Sequence, residues 1–209
     1  GGDYLISSNV KPGSGLGGSS SLTVNCVKTI TTLQNKNLSN TEIAETAFHI
    51  ERDILNHPIG KQDDYIAAFG GFNFINFSSK KTEVMPINLS SSSFNELQEN
   101  LLLFNTGATR KSSDVLKNQL SSIQNQNTST LNSIHKAKEL AEELHDSLKN
   151  SNLQNFAEIL NKGWEAKKKF TNGVSNERIN KIYESAISNG ATGGKITGAG
   201  GGGHILLYC

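Results

Sequence analysis

The chain has 209 residues with 20 Lys and Arg against 19 Asp and Glu. A charge this balanced, without a long basic run, argues against nucleic-acid binding. No apolar stretch approaches the roughly 18 residues of a membrane span, and no signal peptide is visible.

Length and cysteine content set two further expectations. The length fits one domain or one and a half. Cys26 and Cys209 lie far apart in apolar surroundings, which favours reduced core thiols in a cytoplasmic protein over a disulfide framework. The chain begins without Met and ends inside an apolar run at 204–209, so both ends look cut.

The first predicted element is a glycine- and serine-rich loop at 11–21, between a β-like run at 4–8 and a helical run at 22–33. Glycine lacks Cβ, so its backbone can take φ > 0 and approach a ligand closely. The N–H groups of such a loop and the start of the next helix attract anions. We therefore expect a phosphate site. The alternative, a flexible linker, is disfavoured by Pro12 and the apolar flanks.

The next helix is predicted from the spacing of Ser39 and Glu42, which suits a capping box. Its apolar stripe, continued by helical periodicity, reaches Glu51. A carboxylate on a buried face is costly unless it is paired. The alternatives are an ion pair with Arg52 or Lys61, or exposure at the helix end. The apolar members of the stripe are Ala44, Ala47 and Phe48.

A loop around Pro58 and Gly60 then precedes a short helix that ends at Gly70. Asp63 or Asp64 is predicted to cap this helix.

Strands follow at 72–77 and 84–89, and the two form a predicted hairpin. Residues 90–93 suggest a low-complexity turn. Residues 101–104 indicate a short buried strand that enters a polar loop at 105–110.

The remaining chain is predicted to be mainly helical. Amphipathic helices begin with one at 113–124 and end with one that Ser175 caps and Gly190 closes. A second glycine loop at 193–203 leads into a strand at 205–208. Hairpin strands followed by helices and a returning strand indicate an α+β fold rather than a doubly wound sheet.

The chemistry of the first loop differs from that of two familiar phosphate loops. A P-loop needs Lys after its glycines, and the dinucleotide loop needs a different glycine spacing. The chain instead offers hydroxyls after the loop, Glu51, and the acidic pair Asp63 and Asp64. Hydroxyl and carboxylate oxygens suit Mg²⁺, and a further carboxylate suits a general base. This set favours phosphoryl transfer from a nucleotide.

Three segments resemble one enzyme family, the GHMP small-molecule kinases. P-G-S-G-L-G-G-S-S at 12–20 resembles the family's nucleotide-phosphate loop, and K-I-T-G-A-G-G-G-G at 195–203 resembles its C-terminal glycine motif. G-K-Q-D at 60–63, followed by F-G-G at 69–71, is similar to its central segment. More narrowly, residues 60–75 and W-E-A-K-K at 164–168 resemble the D-glycero-D-manno-heptose 7-phosphate kinases.

The resemblance implies a two-lobed α+β fold. Residues 1–90 would belong to an N-terminal, ribosomal-protein-S5-like lobe that binds ATP, with its first strands missing. Residues 91–209 would form a C-terminal, ferredoxin-like lobe with a truncated end.

The resemblance also implies roles for individual residues. Asp63 matches the catalytic aspartate, as a base or an electrostatic aid, while Asp64 is interpreted as a cap or a solvated neighbour. Ser19 and Glu51 match the Mg²⁺ ligands, and Lys61 is a candidate to depress the pKa of Asp63 or to bind phosphate. The residues expected around ATP are Pro12, Gly13, Ser14, Gly15, Leu16, Gly17, Gly18, Ser19 and Ser20.

The expected sugar side combines one loop with the second glycine motif. Arg110 is a candidate for the sugar's own phosphate, or alternatively a solvated surface arginine. Gly18 stands where many relatives carry serine. The full set of substrate candidates is Thr106, Gly107, Arg110, Gly198, Gly200 and Gly201.

The implied activity is phosphorylation by ATP and Mg²⁺ of the anomeric hydroxyl of D-glycero-D-manno-heptose 7-phosphate. The product would supply nucleotide-activated heptose for capsule or lipopolysaccharide. A small-molecule sugar phosphate is the expected partner, without nucleic acid or membrane, and a homodimer is left open. The alternatives are another GHMP sugar or mevalonate-type kinase, and a non-catalytic nucleotide- or metabolite-binding protein.

Overall fold

The computed structural model describes residues 5–108 and 112–209, which form an α+β arrangement. The helices are α1 (Gly18–Leu33), α2 (Asn40–His49), α3 (Gln62–Phe69), α4 (Ser91–Asn100), α5 (Ser112–Gln124), α6 (Thr128–Lys149), α7 (Phe156–Lys168) and α8 (Glu177–Ser188). The strands are β1 (Asn73–Phe77), β2 (Thr82–Pro86), β3 (Leu101–Asn105), β4 (Gly193–Ile196) and β5 (His204–Tyr208).

The first helices pack together around a small apolar cluster. The predicted capping box at the start of α2 is confirmed, since the Ser39 hydroxyl accepts from the Glu42 N–H while the Glu42 carboxylate accepts from the Ser39 N–H at 2.8 Å. After α2 the backbone widens into a π-helical turn, Ile50–Ile54, which carries Glu51. The cluster consists of Val24, Val27, Ile43 and Ala47.

The β-like run predicted at 4–8 is wrong for the part that the structure describes. Residues 5–8 form no strand, and Leu5 is 97% exposed. A strand needs a hydrogen-bonded neighbour, and none of the described strands pairs with this segment.

Two antiparallel sheets accompany the helices. The predicted hairpin is confirmed as β1 and β2, paired from Asn73 with Pro86 to Phe77 with Thr82, but its second strand begins earlier and ends at Pro86 rather than at residue 89. The second sheet has the order β3-β5-β4, so the last strand returns between two earlier ones.

The strand predicted at 101–104 is confirmed as β3, but its predicted burial is wrong. Leu102, Leu103 and Phe104 are each 45–50% exposed. Consecutive strand residues alternate between the two faces of a sheet, so the edge strand β3 is poorly covered on both faces. The turn predicted at 90–93 is instead the start of α4, where the Ser90 hydroxyl accepts from the Ser93 N–H at 3.1 Å.

The C-terminal helices enclose the main core with β4 and β5. The cap of α8 is Asn176 rather than Ser175, since the Asn176 side chain accepts from the Ile179 N–H at 3.0 Å. Gly190 follows this helix with a left-handed φ of 113°, as a C-terminal glycine should. The core cluster comprises Val115, Trp164, Val174, Ile179, Ala191, Ile196, Ile205 and Leu207.

The predicted second glycine loop is shorter than 193–203, because its first four residues form β4. Glycine at position 193 permits this strand to lie directly against α7, since a Cβ there would collide with the Ala157 carbonyl. Helix α7 therefore runs alongside β4 toward the loop at 197–203.

The cysteine thiols are free, as predicted, but both residues are exposed rather than part of the core. Cys26 lies beside the buried stripe of α1, which passes through Ser20, Val24 and Val27. Across residues 5–108 and 112–209, no helix combines the length and apolar character that a bilayer crossing requires.

Candidate active site

The first glycine loop leads directly into the start of α1. Gly13, Gly15 and Gly17 have φ values of 75°, 73° and 68°, a left-handed conformation that glycine adopts without strain. Gly17 is the N-cap residue, and within residues 5–108 and 112–209 no side chain caps the helix. The first N–H groups of α1 are thus available to an anion.

The second glycine loop packs directly against the first. A Cβ on Gly198 would lie 2.8 Å from the Gly15 Cα, and a Cβ on Gly15 would lie 3.0 Å from the Thr197 Oγ1. The His204 Nδ1 lies 2.9 Å from the carbonyl oxygen of Ser14. The two glycine loops, which come from opposite ends of the chain, therefore lie in direct contact.

Glu51 lies against α1, which follows the first glycine loop, and is 2% exposed. Its Oε1 accepts from the Thr23 hydroxyl at 2.8 Å, and its Oε2 accepts from the Ser20 hydroxyl at 3.0 Å. The prediction that the apolar stripe buries this carboxylate is confirmed. Exposure at the helix end is excluded.

The predicted ion-pair alternatives for Glu51 are also wrong. Lys61 pairs with Glu45 at 2.7 Å and lies over the ring of Phe48. Arg52 lies over the same ring, 5.4 Å from its centroid. Glu51 is a buried carboxylate whose described partners are hydroxyl groups.

Asp63 lies in the first turn of α3, next to the first glycine loop. A Cβ on Gly17 would lie 3.9 Å from the Asp63 Oδ2. Burial raises the pKa of Asp63, the negative charge of Glu51 raises it further, and the ammonium group of Lys167 opposes both. The structure thus places the half-buried carboxylate of Asp63 beside the first glycine loop.

The predicted role of Lys61 toward Asp63 is replaced by that of another lysine. Both carboxylate oxygens of Glu45 hold the Lys61 ammonium group at 2.7 Å. The cation that acts on Asp63 is Lys167, which belongs to α7 and is distant in sequence.

The interpretation of Asp64 as a cap or a solvated neighbour is wrong. Lys61 is the N-cap residue of α3, which moves Asp64 into the first helical turn and onto its buried face. Asp64 is fully buried, and within the described residues neither carboxylate oxygen accepts a hydrogen bond of normal geometry. Burial, followed by the charge of Glu51, raises its pKa to about 7, against a smaller lowering influence of the Ser20 hydroxyl.

Lys167 and Lys195 are the site residues that sequence reasoning missed. Lys167 lies in the last turn of α7, and its Nζ donates to the carbonyl of Gly198. Burial lowers its pKa to about 7, the charge of Lys195 contributes, and Asp63 opposes the shift. Burial also lowers the pKa of Lys195. Both residues lie within the motifs at 164–168 and 195–203, but position within a motif did not reveal their proximity.

The hydroxyls that follow the first loop divide into two groups. Ser20 is 3% exposed and contacts Glu51, whereas Ser19 is exposed and its carbonyl accepts from Thr23. Ser19 as a metal ligand therefore stays a prediction. Of the other loop residues, Ser14 is buried, while Pro12, Gly13, Leu16 and Gly18 are exposed.

The predicted sugar-side loop is docked on the second glycine loop. The Thr106 hydroxyl donates to the carbonyl of Gly203 at 2.9 Å, and the residue is 1% exposed. Arg178 donates to the Thr106 carbonyl at 2.7 Å and lies against Gly107. The structure thus gives Thr106 a loop-joining contact. Arg110 lies outside the described residues.

The three predicted glycines of the second motif occupy two environments. Gly198 touches the first loop, whereas Gly200 and Gly201 pack against Val174, whose carbonyl accepts from the Gly201 N–H at 2.8 Å. Gly198 is consequently the member of this set that lies between the two loops.

Comparison with known families agrees with this geometry. The family described as GHMP kinases N terminal domain matches residues 1–71, and GHMP kinases C terminal matches residues 138–209. Together the two matches cover more than half of the chain. The chain belongs to the GHMP kinase family.

Individual relatives refine this assignment. A D-glycero-alpha-D-manno-heptose 7-phosphate kinase of Campylobacter jejuni is 37% identical over 96% of this chain and 59% of its own length. The crystal structure of a D-glycero-D-manno-heptose 1-phosphate kinase from Bacteroides thetaiotaomicron is 29% identical, with a TM-score of 0.71, over 96% of this chain and 54% of that one.

A more distant structure supports the fold alone. Galactokinase from Lactococcus lactis, complexed with galactose, is 18% identical with a TM-score of 0.73 over 96% of this chain and 59% of that one. This chain thus spans little more than half the length of these GHMP kinases. The predicted α+β GHMP-kinase fold is confirmed.

Proposed function

We propose that this GHMP kinase transfers a phosphoryl group from ATP to the anomeric hydroxyl of D-glycero-D-manno-heptose 7-phosphate. The observation that carries the proposal is the position of Asp63 beside Gly17, where a candidate base adjoins the uncapped start of α1. The names of the Campylobacter and Bacteroides relatives support a heptose phosphate as the sugar.

The donor would bind along the first glycine loop. Its left-handed glycines turn the backbone toward the start of α1, where N–H groups lack side-chain caps. Such a helix start favours the phosphate chain of a nucleotide. We assign residues 1–90 to the ATP-binding lobe and 91–209 to the C-terminal lobe.

The acidic side of the site, formed by Glu51, Asp63 and Asp64, suits a divalent metal ion. Glu51 is buried and contacts two hydroxyls, and Asp64 has two buried oxygens that accept no hydrogen bond of normal geometry from the described residues. No three His, Cys, Asp or Glu side chains of the described residues converge on one metal position. This donor set fits Mg²⁺, which keeps water and phosphate oxygens among its ligands. Glu51 and Ser19 would hold the ion, which supplies neutralisation of phosphate charge when bound.

Asp63 would accept the proton of the sugar hydroxyl as its oxygen attacks the terminal phosphorus of ATP. The O–P bond to the sugar forms, the bond to ADP breaks, and the proton moves to the carboxylate. A raised pKa makes Asp63 a better proton acceptor than an ordinary exposed aspartate. Binding and orientation by the two loops supply most of the remaining rate enhancement.

A panel assay tests this function. The full-length protein is supplied with ATP, Mg²⁺ and matched sugars with and without a terminal phosphate, and the product is identified by ³¹P NMR. We expect turnover of heptose 7-phosphate with a new phosphate on C1. Preference for an unphosphorylated sugar or mevalonate would contradict the substrate. ATP binding without transfer to any acceptor would favour a non-catalytic binding protein.

A further inference from the structure

Two lysines beside the second glycine loop lack the carboxylate partners that most half-buried lysines have. Lys167 donates to the backbone carbonyl of Gly198, which carries no net charge. Burial lowers the pKa of the Lys195 ammonium group. In residues 5–108 and 112–209, neither of the two forms an ion pair with Asp or Glu.

The acidic residues near this part of α7 are already engaged elsewhere. Glu165 pairs with Lys168, whose ammonium group also lies over the ring of Trp164. Glu158 pairs with Lys162 one turn apart. The opposite charge that acts on Lys167 is that of Asp63, whose carboxylate also lies beside Gly17 in the first glycine loop.

The fold brings the two cations together by running α7 alongside β4. Gly193 permits close contact with Ala157 at the start of the helix, and Lys167 reaches Gly198 at its end. Lys195 lies two residues after Gly193 on β4, so its side chain leaves the strand on the face that packs against α7. Its charge also disfavours the charged form of Lys167. Two neighbouring charges, partly removed from water, are unfavourable unless an anion binds them.

We propose that Lys167 and Lys195 form a phosphoryl subsite at the second glycine loop, with Lys167 contacting the phosphoryl oxygens. A phosphoryl dianion fits because it brings two negative charges and several acceptors to two ammonium donors. The identity of that phosphoryl group rests on the proposed function. It is either the group in transfer or the phosphate already carried by the sugar.

The position of Lys167 relative to Asp63 favours the group in transfer. Asp63 adjoins Gly17 in the first loop, and Gly198 adjoins Gly15 in the same loop. A phosphoryl group that moves from the first loop toward a hydroxyl at Asp63 would pass within reach of the Lys167 ammonium group. Lys167 would then offset the charge of the transferred oxygens.

A footprinting experiment tests the subsite in the unmodified full-length protein, without requiring catalysis. Lysines are acetylated with and without inorganic pyrophosphate, and each site is quantified by peptide mass spectrometry. We expect at least about fivefold protection of Lys167 and Lys195. Exposed Lys169, two residues after Lys167, serves as the internal control and stays reactive. Equal labelling of Lys167 with and without pyrophosphate would overturn the subsite.

Kinetics then identify the source of the phosphoryl group. Lys167→Met, Lys167→Arg and the control Lys169→Met are assayed with heptose 7-phosphate and with the unphosphorylated heptose. For the group in transfer, Lys167→Met lowers kcat about 10- to 100-fold with both sugars, and Arg restores part of it. For the sugar's own phosphate, KM rises with the phosphorylated sugar alone.

The two proposals fail in different ways. If Lys167→Met leaves both kcat and KM within twofold of wild type, the subsite is wrong while the kinase activity stands. If the wild-type protein transfers no phosphate to any acceptor, the kinase activity is wrong, and the footprint with pyrophosphate still decides the subsite.

Discussion

The acidic and basic sides of the site are built in different ways. On the acidic side, Glu51 is fixed by two hydroxyls donated from α1. On the basic side, Lys167 is held by one backbone carbonyl and repelled by Lys195. The acidic side is therefore organised before a ligand arrives, whereas the basic side depends on an anion to offset its charges.

This difference predicts where the charged parts of a bound ligand lie in the site. A metal ion and a proton acceptor belong at the α1–α3 side, and phosphoryl oxygens belong between it and the lysines. The two glycine loops touch at Gly15 and Gly198, where their backbones approach closely. Substitutions on each side should consequently have separable effects.

The largest effect is expected for Asp63→Asn, which removes the proposed proton acceptor but keeps the shape of the side chain. We expect kcat to fall about 10²–10⁴-fold with little change in the affinity for ATP. The control is Asp53→Asn, because Asp53 is exposed and pairs with His49. Turnover of Asp63→Asn within a few-fold of wild type would show that Asp63 is neither the proton acceptor nor an important electrostatic aid, because asparagine lacks both functions.

Glu51→Gln tests the metal side of the comparison. Glutamine keeps one acceptor for the Ser20 and Thr23 hydroxyls but removes the negative charge. We expect the Mg²⁺ concentration for half-maximal activity to rise about tenfold or more. Glu45→Gln is the matched control on the preceding helix α2, since Glu45 binds Lys61 instead. An unchanged Mg²⁺ requirement would remove Glu51 from the metal site.

The sequence predicted the fold where local signals were strong. Helical periodicity and the Ser39 capping box located the α2 region, and alternation located the hairpin. Helix α4 was missed because its sequence is mostly polar. Strand β4 was missed because its glycines suggested a loop, and their reason is close packing against α7.

The sequence predicted the position of a site residue where that position depends on a single helix. Glu51 lay on a stripe that the sequence itself defined. Asp64 was misjudged because the start of α3 was placed too late by two or three residues, which changes the face on which it lies. Lys167 could not be predicted, because its role depends on how α7 meets loops from both ends of the chain.

The pH dependence of stability should separate the two sides without any activity assay. Asp64 has a pKa raised to about 7, so in the folded protein it keeps a proton that the unfolded chain loses near pH 4. Its contribution to the free energy of unfolding therefore falls between pH 4 and 7. Lys167 has a pKa lowered to about 7, so its contribution rises from pH 7 toward 10.5. Together these groups predict a minimum near pH 7 in ligand-free protein.

Urea denaturation from pH 4 to 10 measures this profile. Asp64→Asn should abolish most of the fall below pH 7, with a gain on the order of a few kcal/mol at pH 8. Lys167→Met should reduce the rise above pH 7, of which the part due to Lys195 remains, and leave the lower limb in place. Asp146→Asn, at an exposed residue of α6, is the control. Parallel profiles for Asp64→Asn and wild type would contradict a fully buried, protonated Asp64.

The smallest effect is expected for the cap that supports the acidic side. Ser39→Ala removes the hydroxyl that accepts from the Glu42 N–H and donates to its carboxylate at 2.7 Å. We expect the free energy of unfolding to fall by about 1 kcal/mol. The Mg²⁺ requirement should stay constant, because hydroxyls from α1 fix Glu51 independently of the start of α2. Ser90→Ala, which removes the cap of α4 in the other half of the chain, gives the matched comparison. A rise in the Mg²⁺ requirement for Ser39→Ala alone would show that Glu51 depends on the whole of α2 and not on its local hydroxyl contacts.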